Sequence, residues 1–213
     1  MITADLYLNT IDFHKYLPGT DCQQCGEPSC VEFVQKMKTG SRSPALCPFL
    51  SDNQIRAFQL ALRAEQIFPE VPALELPRPA SPGLTQINHA DESTLVLVSG
   101  NSQFTQEVLT SIIAFSLSPF WLLFVDCRGD TVDMAMVYHS LTAEKIRGAL
   151  EQTHLHDRQV RRELLIPGFA SELKEPLEQQ IDWQVRVGPV CIAELPLFLG
   201  EGCKLPAGPD PSR

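Results

Sequence analysis

Four cysteines, Cys22, Cys25, Cys30 and Cys47, fall in the spacing C-x2-C-x4-C-x16-C. A thiolate is a soft ligand, and four gathered this closely select zinc or an iron–sulfur cluster. Ligand type and spacing alone leave both open, because a four-cysteine zinc site could be held by the same spacing. Gly26 leaves room for backbone amides to turn toward the sulfides of a bound cluster, a contact that tunes its potential. Cys47 stands before Pro48, the Cys-Pro ending of ferredoxin-type ligation. Seven cysteines are an odd number, and four of them share one short segment. That distribution suits a metal site in a reducing compartment better than a disulfide framework. The other three, Cys127 in a turn, Cys191 at the start of a short helix and Cys203 in the tail, read as structural thiols.

The elements that must hold the four thiols are short helices. Residues 32–38 carry apolar side chains at helical spacing together with Val31, and Gly40 stops them. Ser51 or Asp52 can cap a second helix with Ile55, Phe58 and Leu62 along one face. Residues 1–70 therefore read as a small helical unit that needs a metal site as a staple. Residues 71–90 read as a stiff, extended connector, because the proline density around it forbids helix and central strand.

From about residue 93 the pattern changes to strands alternating with helices. Apolar runs at 94–98, 120–125, 163–166 and 183–187 read as strands, and 131–137 alternates as a further strand. Helices are expected over 103–116, 143–152, 170–180 and 192–199. The fold class is α/β, a mostly parallel, Rossmann-like three-layer domain over residues 91–202 that follows the helical unit. Residues 203–213 read as a disordered tail. In such a sheet ligands bind beyond the carboxyl ends of the strands. The loops there are 99–102, 126–130, Pro167-Gly168 and Gly188-Pro189, each with a glycine that allows close backbone approach.

The formal net charge of -9 argues against a nucleic-acid or anionic-membrane partner, both of which need clustered Lys and Arg. No apolar run approaches the roughly eighteen residues of a membrane span. The first residues lack the basic-then-apolar pattern of a signal peptide, so the expected location is cytoplasmic. Apolar residues at 44% suffice for a real core.

Two stretches resemble one family. Leu17-Pro18-Gly19-Thr20-Asp21-Cys22-Gln23-Gln24-Cys25-Gly26-Glu27-Pro28-Ser29-Cys30, with Phe33 and Cys47-Pro48, is similar to the small four-cysteine [4Fe-4S] domain of the corrinoid iron–sulfur protein large subunit. That subunit is also called the gamma subunit of the acetyl-CoA decarbonylase/synthase complex, and the same small domain occurs in the B subunit of the Rnf electron-transport complex. Leu164-Leu165-Ile166-Pro167-Gly168-Phe169-Ala170, Trp183-Gln184-Val185-Arg186-Val187-Gly188-Pro189 and Leu195-Pro196-Leu197-Phe198-Leu199 resemble the C-terminal corrinoid-binding domain of that large subunit. Val125-Asp126-Cys127-Arg128-Gly129-Asp130-Thr131-Val132 and Asn101-Ser102-Gln103-Phe104-Thr105 fall where the family has related segments. The family carries a TIM barrel between the two parts, whereas this chain has only the proline-rich connector. Arg128 and Asp130 also depart from the family's acidic residue and threonine.

The resemblance implies a [4Fe-4S] cluster on Cys22, Cys25, Cys30 and Cys47. It also implies a corrinoid, with Thr105 beneath the cobalt and contacts from Asn101, Gly129, Thr131, Gly168, Gly188 and Pro189. A cobalt-bearing cofactor of this kind carries the reaction, while the protein supplies position, axial environment and electrons. The implied role is methyl carrier, or electron donor that keeps cobalt reduced, in anaerobic metabolism. Such a chain is a carrier rather than a stand-alone catalyst, and its implied partner is a methyltransferase, a corrinoid-protein subunit or a reductase. The alternative is a [4Fe-4S] electron-transfer or sensing module whose α/β domain binds no corrinoid and docks a protein partner.

Overall fold

The computed structural model of the protein describes residues 6–69 and 77–207. Expectations placed on residues 1–5, on 70–76 of the connector and on 208–213 of the tail lie outside them.

The first part is helical for local reasons. Helix α1 (Cys30–Lys38) starts where the Ser29 hydroxyl accepts a hydrogen bond from the Glu32 amide, and it buries Phe33, Val34 and Met37. Helix α2 (Asp52–Leu62) opens with a reciprocal Ser51–Gln54 capping box and buries Ala57, Phe58, Leu60 and Ala61. A short helix α3 (Ala64–Ile67) follows. A cap contributes about 1 kcal/mol, whereas full burial of one Phe contributes roughly 1.5–3 kcal/mol. Packing of Phe33 and Phe58 therefore outweighs the caps in holding this unit.

The second part is a five-stranded sheet. Strand β1 (Gly83–Ile87) pairs antiparallel with β3 (Phe120–Val125), and β2 (Val96–Gly100), β3, β4 (Glu163–Ile166) and β5 (Gln184–Val187) are parallel. The order across the sheet is β1-β3-β2-β4-β5. Helix α4 (Gln103–Ile113) joins β2 to β3. Helices α5 (Val132–Val137), α6 (Ala143–Gln152) and α7 (Leu155–Arg158) lie between β3 and β4. Helix α8 (Lys174–Gln180) joins β4 to β5, and α9 (Leu195–Leu199) follows β5.

Strand alternation divides the core between the two faces of the sheet. Phe120, Leu122 and Phe124 share one cluster with Leu97, α4, α9 and the helical unit. Trp121, Leu123 and Val125 share the other with Val98, α5, α6 and α8. Both faces of β3 are buried, which explains its unbroken apolar run. The helical unit's core, including Cys30 and Cys47, is continuous with the first face of the sheet. Among the described residues no helix is long and apolar enough to cross a membrane.

Three expectations need correction. Residues 131–137 are not a strand: Thr131 precedes helix α5, whose Val132 and Ala135 are buried three apart. Over six residues an alternating pattern and a helical one coincide, and Asp133 in the first turn favours the helix. Part of the connector, Gly83–Ile87, is edge strand β1, a place where nearby proline costs no ladder bond. The start of the tail is packed: Cys203 and Leu205 are buried, and the Asn53 side chain bonds the Leu205 amide and the Gly200 and Cys203 carbonyls.

Asn101 fastens the ends of β2 and β3 to the connector. Its Oδ1 accepts from the amides of Cys127 at 2.9 Å and Gly129 at 3.2 Å, and its Nδ2 donates to the Ala80 carbonyl at 2.9 Å. The site is buried, so removing the amide leaves backbone donors without partners. Asn101→Ala is expected to lower stability by about 3 kcal/mol in urea unfolding. A loss within the scatter of surface substitutions would show that water replaces the side chain.

Candidate functional site

Cys22, Cys25, Cys30 and Cys47 all line one small cavity together with Leu17, Pro18 and Phe33. Tight backbone turns bring them there. Gly19, Asp21, Gln23 and Gly26 have positive φ, and the Gly26 amide donates to the Gln23 carbonyl at 2.9 Å. The Asp21 carboxylate accepts from the Cys30 amide at 2.7 Å, which closes the loop onto α1. Cys47 ends a 3-10 turn, Pro44–Leu46, whose start is capped by the Ser43 hydroxyl. Cys22 and Cys25 are half-buried, whereas Cys30 and Cys47 are buried. Among the described residues, no three His, Cys, Asp or Glu side chains converge closely enough to hold a single metal ion.

Glu27 locks this loop. It is buried, receives Lys36 at 2.7 Å and Arg42 Nε at 2.6 Å, and so ties the cysteine loop to α1 and to the segment leading to Cys47. The Lys36 ammonium, followed by the Arg42 guanidinium, holds its carboxyl below the usual carboxylate range. A buried carboxylate needs such partners to offset its desolvation.

A larger cavity of about 460 Å³ opens at the carboxyl ends of β2 and β4. These strands are neighbours, yet β2 leads to α4 on one face of the sheet and β4 to α8 on the other. That is the topological switch point at which open α/β sheets take ligands. Its walls are mainly apolar, with Leu97, Phe104, Val108, Leu165, Phe169 and Leu195 among them.

Of the residues expected to bind a cofactor, Thr105, Thr131, Gly188 and Pro189 line this cavity. Thr105 sits in the first turn of α4, and Thr131 donates to Asp133 at the start of α5. Asn101, Gly129 and Gly168 do not line it. Asn101, just after β2, and Gly129, in the loop after β3, join the ends of those strands, and a Cβ on Gly129 would stand 2.3 Å from the Pro79 nitrogen. Gly168 lets its loop meet the next one, since a Cβ there would lie 2.7 Å from the Val190 nitrogen. The three outlying cysteines are buried. Cys127 donates to the Asp130 carbonyl at 3.2 Å, and burial pushes its thiol up.

Leu6, Tyr7, Asp133 and Phe169 also line the cavity, and Glu27 braces the cysteines. Sequence reasoning missed all five. The carboxylate of Glu27 two residues after Cys25 is a signal that could have been read. The placing of Leu6 and Tyr7 across the sheet ends carries no local signal.

Comparisons with known proteins match two separate stretches of the chain. Residues 63–199, more than half of the chain, match the family model described as CO dehydrogenase/acetyl-CoA synthase delta subunit. Residues 17–49 match the model described as "Putative Fe-S cluster". The chain is 32% identical over 123 residues to the acetyl-CoA decarbonylase/synthase complex subunit gamma of Methanopyrus kandleri, covering 58% of this chain and 27% of that one. The same subunit of Archaeoglobus fulgidus is 29% identical over 114 residues, covering 54% and 24%. The corrinoid/iron-sulfur protein large subunit of Moorella thermoacetica is 32% identical over 106 residues, covering 50% and 24%. The chain thus spans about a quarter of the length of these relatives. With a switch-point cavity lined mainly by residues of the first match and the four cysteines gathered in the second, the chain belongs to the CO dehydrogenase/acetyl-CoA synthase delta subunit family.

Proposed function

We propose that this protein carries a [4Fe-4S] cluster on Cys22, Cys25, Cys30 and Cys47 and binds a corrinoid in the larger cavity. It serves methyl transfer as a carrier, or as the electron donor that keeps cobalt reduced, beside a methyltransferase on another chain. The observation that carries the reading is the switch-point cavity, apolar and edged by Thr105 and Thr131, on the same continuous core as the four-cysteine cavity.

The donor set fits a cluster. Four thiols line one cavity, a soft donor set of the number that a cubane cluster takes. The turns at Gln23 and Gly26 and the Glu27 clamp fix the loop that carries three of them. The cavity walls fit a flat, largely apolar macrocycle. Gly188 and Pro189 let backbone approach it, and among the described residues its walls include no imidazole. Thr105 is placed in the cavity wall and offers at most a weak oxygen ligand. When bound, a corrinoid supplies a nucleophilic cobalt(I) that oxidises readily and then needs an electron. A weak oxygen donor favours the reduced metal over a firmly bound base, and a low-potential cluster on the same chain is a fitting source of the electron.

Protein purified anaerobically is expected to contain about four iron and four sulfide per chain. Zinc in their place would sink the cluster assignment. On incubation with cobinamide or cobalamin, the protein is expected to retain the corrinoid, and cobalamin to show a base-off spectrum. Absence of binding would favour a docking or sensing role for the α/β part. Thr105→Ala is expected to change the cobalt spectrum and leave iron content unaltered, and loss of iron in that variant would contradict the assignment of separate sites.

A further inference from the structure

The wall of the larger cavity is not built by the sheet and its helices alone. Leu6 and Tyr7 line it too, and among the described residues they are the only lining residues that precede β2. Three contacts hold them. The Tyr7 hydroxyl donates to Asp133 Oδ2 at 2.7 Å, on α5. Its ring meets Phe169 edge-on, with centroids 4.8 Å apart. The Cys191 thiol donates to the Leu6 carbonyl at 3.1 Å. These partners follow β3, β4 and β5 in turn, so one short piece of chain fastens three loops at the carboxyl ends of the sheet. Tyr7 does so at φ 54°, ψ 24°, a conformation that a non-glycine residue keeps only where its surroundings hold it.

The same piece of chain continues through Ile11 and Phe13, both buried in the core of the helical unit. Phe13 stacks on Phe58 of α2 with ring centroids 5.9 Å apart. It then reaches Leu17 and Pro18, which line the cysteine cavity. Residues 6–18 thus have one end in the wall of each site. A second tie lies between the ends. Glu194 stands between Ile192 and Leu195, both lining the larger cavity, and is only 4% exposed. It accepts from the Tyr16 hydroxyl at 2.7 Å and pairs with Lys15. Burial first, and then the Glu194 carboxylate, push the Tyr16 phenol far above its ordinary range, so it remains the donor. A buried carboxylate that lost these partners would be left uncompensated, so the tie holds firmly.

We propose that residues 6–18 form a strap that couples the larger cavity to the cysteine site, with Tyr7 as its positioning residue. Displacement of the cavity loops shifts the approach to Cys22, and disorder at the cysteines loosens the cavity loops. Coupling of this kind is reciprocal. The strap rests on the contacts above, and only the nature of the group at the cysteines rests on the function proposed for the chain.

Hydrogen–deuterium exchange on the full chain tests it. Tyr7→Phe keeps the ring and removes the hydroxyl that donates to Asp133. Exchange is expected to rise about tenfold, the worth of one hydrogen bond to a charged group, both at residues 131–137 and at residues 17–22, with β2 and β3 unchanged. A rise at 131–137 alone would reduce Tyr7 to a local latch and overturn the coupling, as would no rise at either place. Removal of bound iron with a chelator is the converse arm. It should open residues 131–137 and 189–195 in the wild-type protein and have a smaller effect in Tyr7→Phe. No opening in the wild type would also overturn the coupling. Iron and sulfide measured on the starting protein keep the two ideas apart: their absence counts against the cluster and leaves the first arm decisive.

Discussion

Because β2 lies between β3 and β4, the chain leaves its carboxyl end in one direction and must later return to its other side. The helix after β2 covers one face of the sheet and the helix after β4 covers the other. Neither can fill the space between the two strand ends. A crevice at that point is therefore a consequence of strand order, before any side chain is chosen. The side chains decide its character. Leu97 and Leu165 form its floor, while hydroxyls from α4 and the start of α5 reach its edge. Asn101 fixes the neighbouring loop by accepting from the amides of Cys127 and Gly129.

The helical unit depends on the same sheet. Its own helices are short, and isolated helices of about ten residues are marginal in water. Phe33, Phe58 and the buried cysteines join Leu97, Leu122 and Leu165 in one cluster, so the unit draws stability from the sheet face. The packed start of the tail adds to this, since Asn53 of α2 bonds backbone at Gly200, Cys203 and Leu205. A cluster in the cysteine cavity would thus add to an existing core rather than replace a missing one.

Much of this was legible in the sequence where the signal is local. The run at 120–125 reads as a buried strand because both its faces are apolar, and 163–166 and 143–152 fall where the structure has β4 and α6. The four cysteines announce their own proximity through spacing. What was not legible depends on distant partners. Residues 131–137 have a period that two structures satisfy, and packing of Val132 and Ala135 against the second face, with Asp133 in the first turn, selects the helix. β1 was hidden behind prolines that are harmless on an edge strand. Asn101, Gly129 and Gly168 stand in loops where glycine and asparagine suit ligand binding or loop packing equally, and the structure uses them for packing.

The distinction between those residues and the ones that face the cavity bears on how such a site works. Gly129 and Gly168 allow backbone to meet backbone, so the loops around the cavity are supported from behind. Thr105 and Thr131 are then presented on helix starts whose positions the sheet dictates. Hydroxyls at helix starts keep their place in a cavity wall only if the backbone behind them cannot drift. The rigid loops meet that need, and the segment from Leu6 to Pro18 ties them to the unit that holds the thiols. Two cavities on one core have the relation between them fixed by packing.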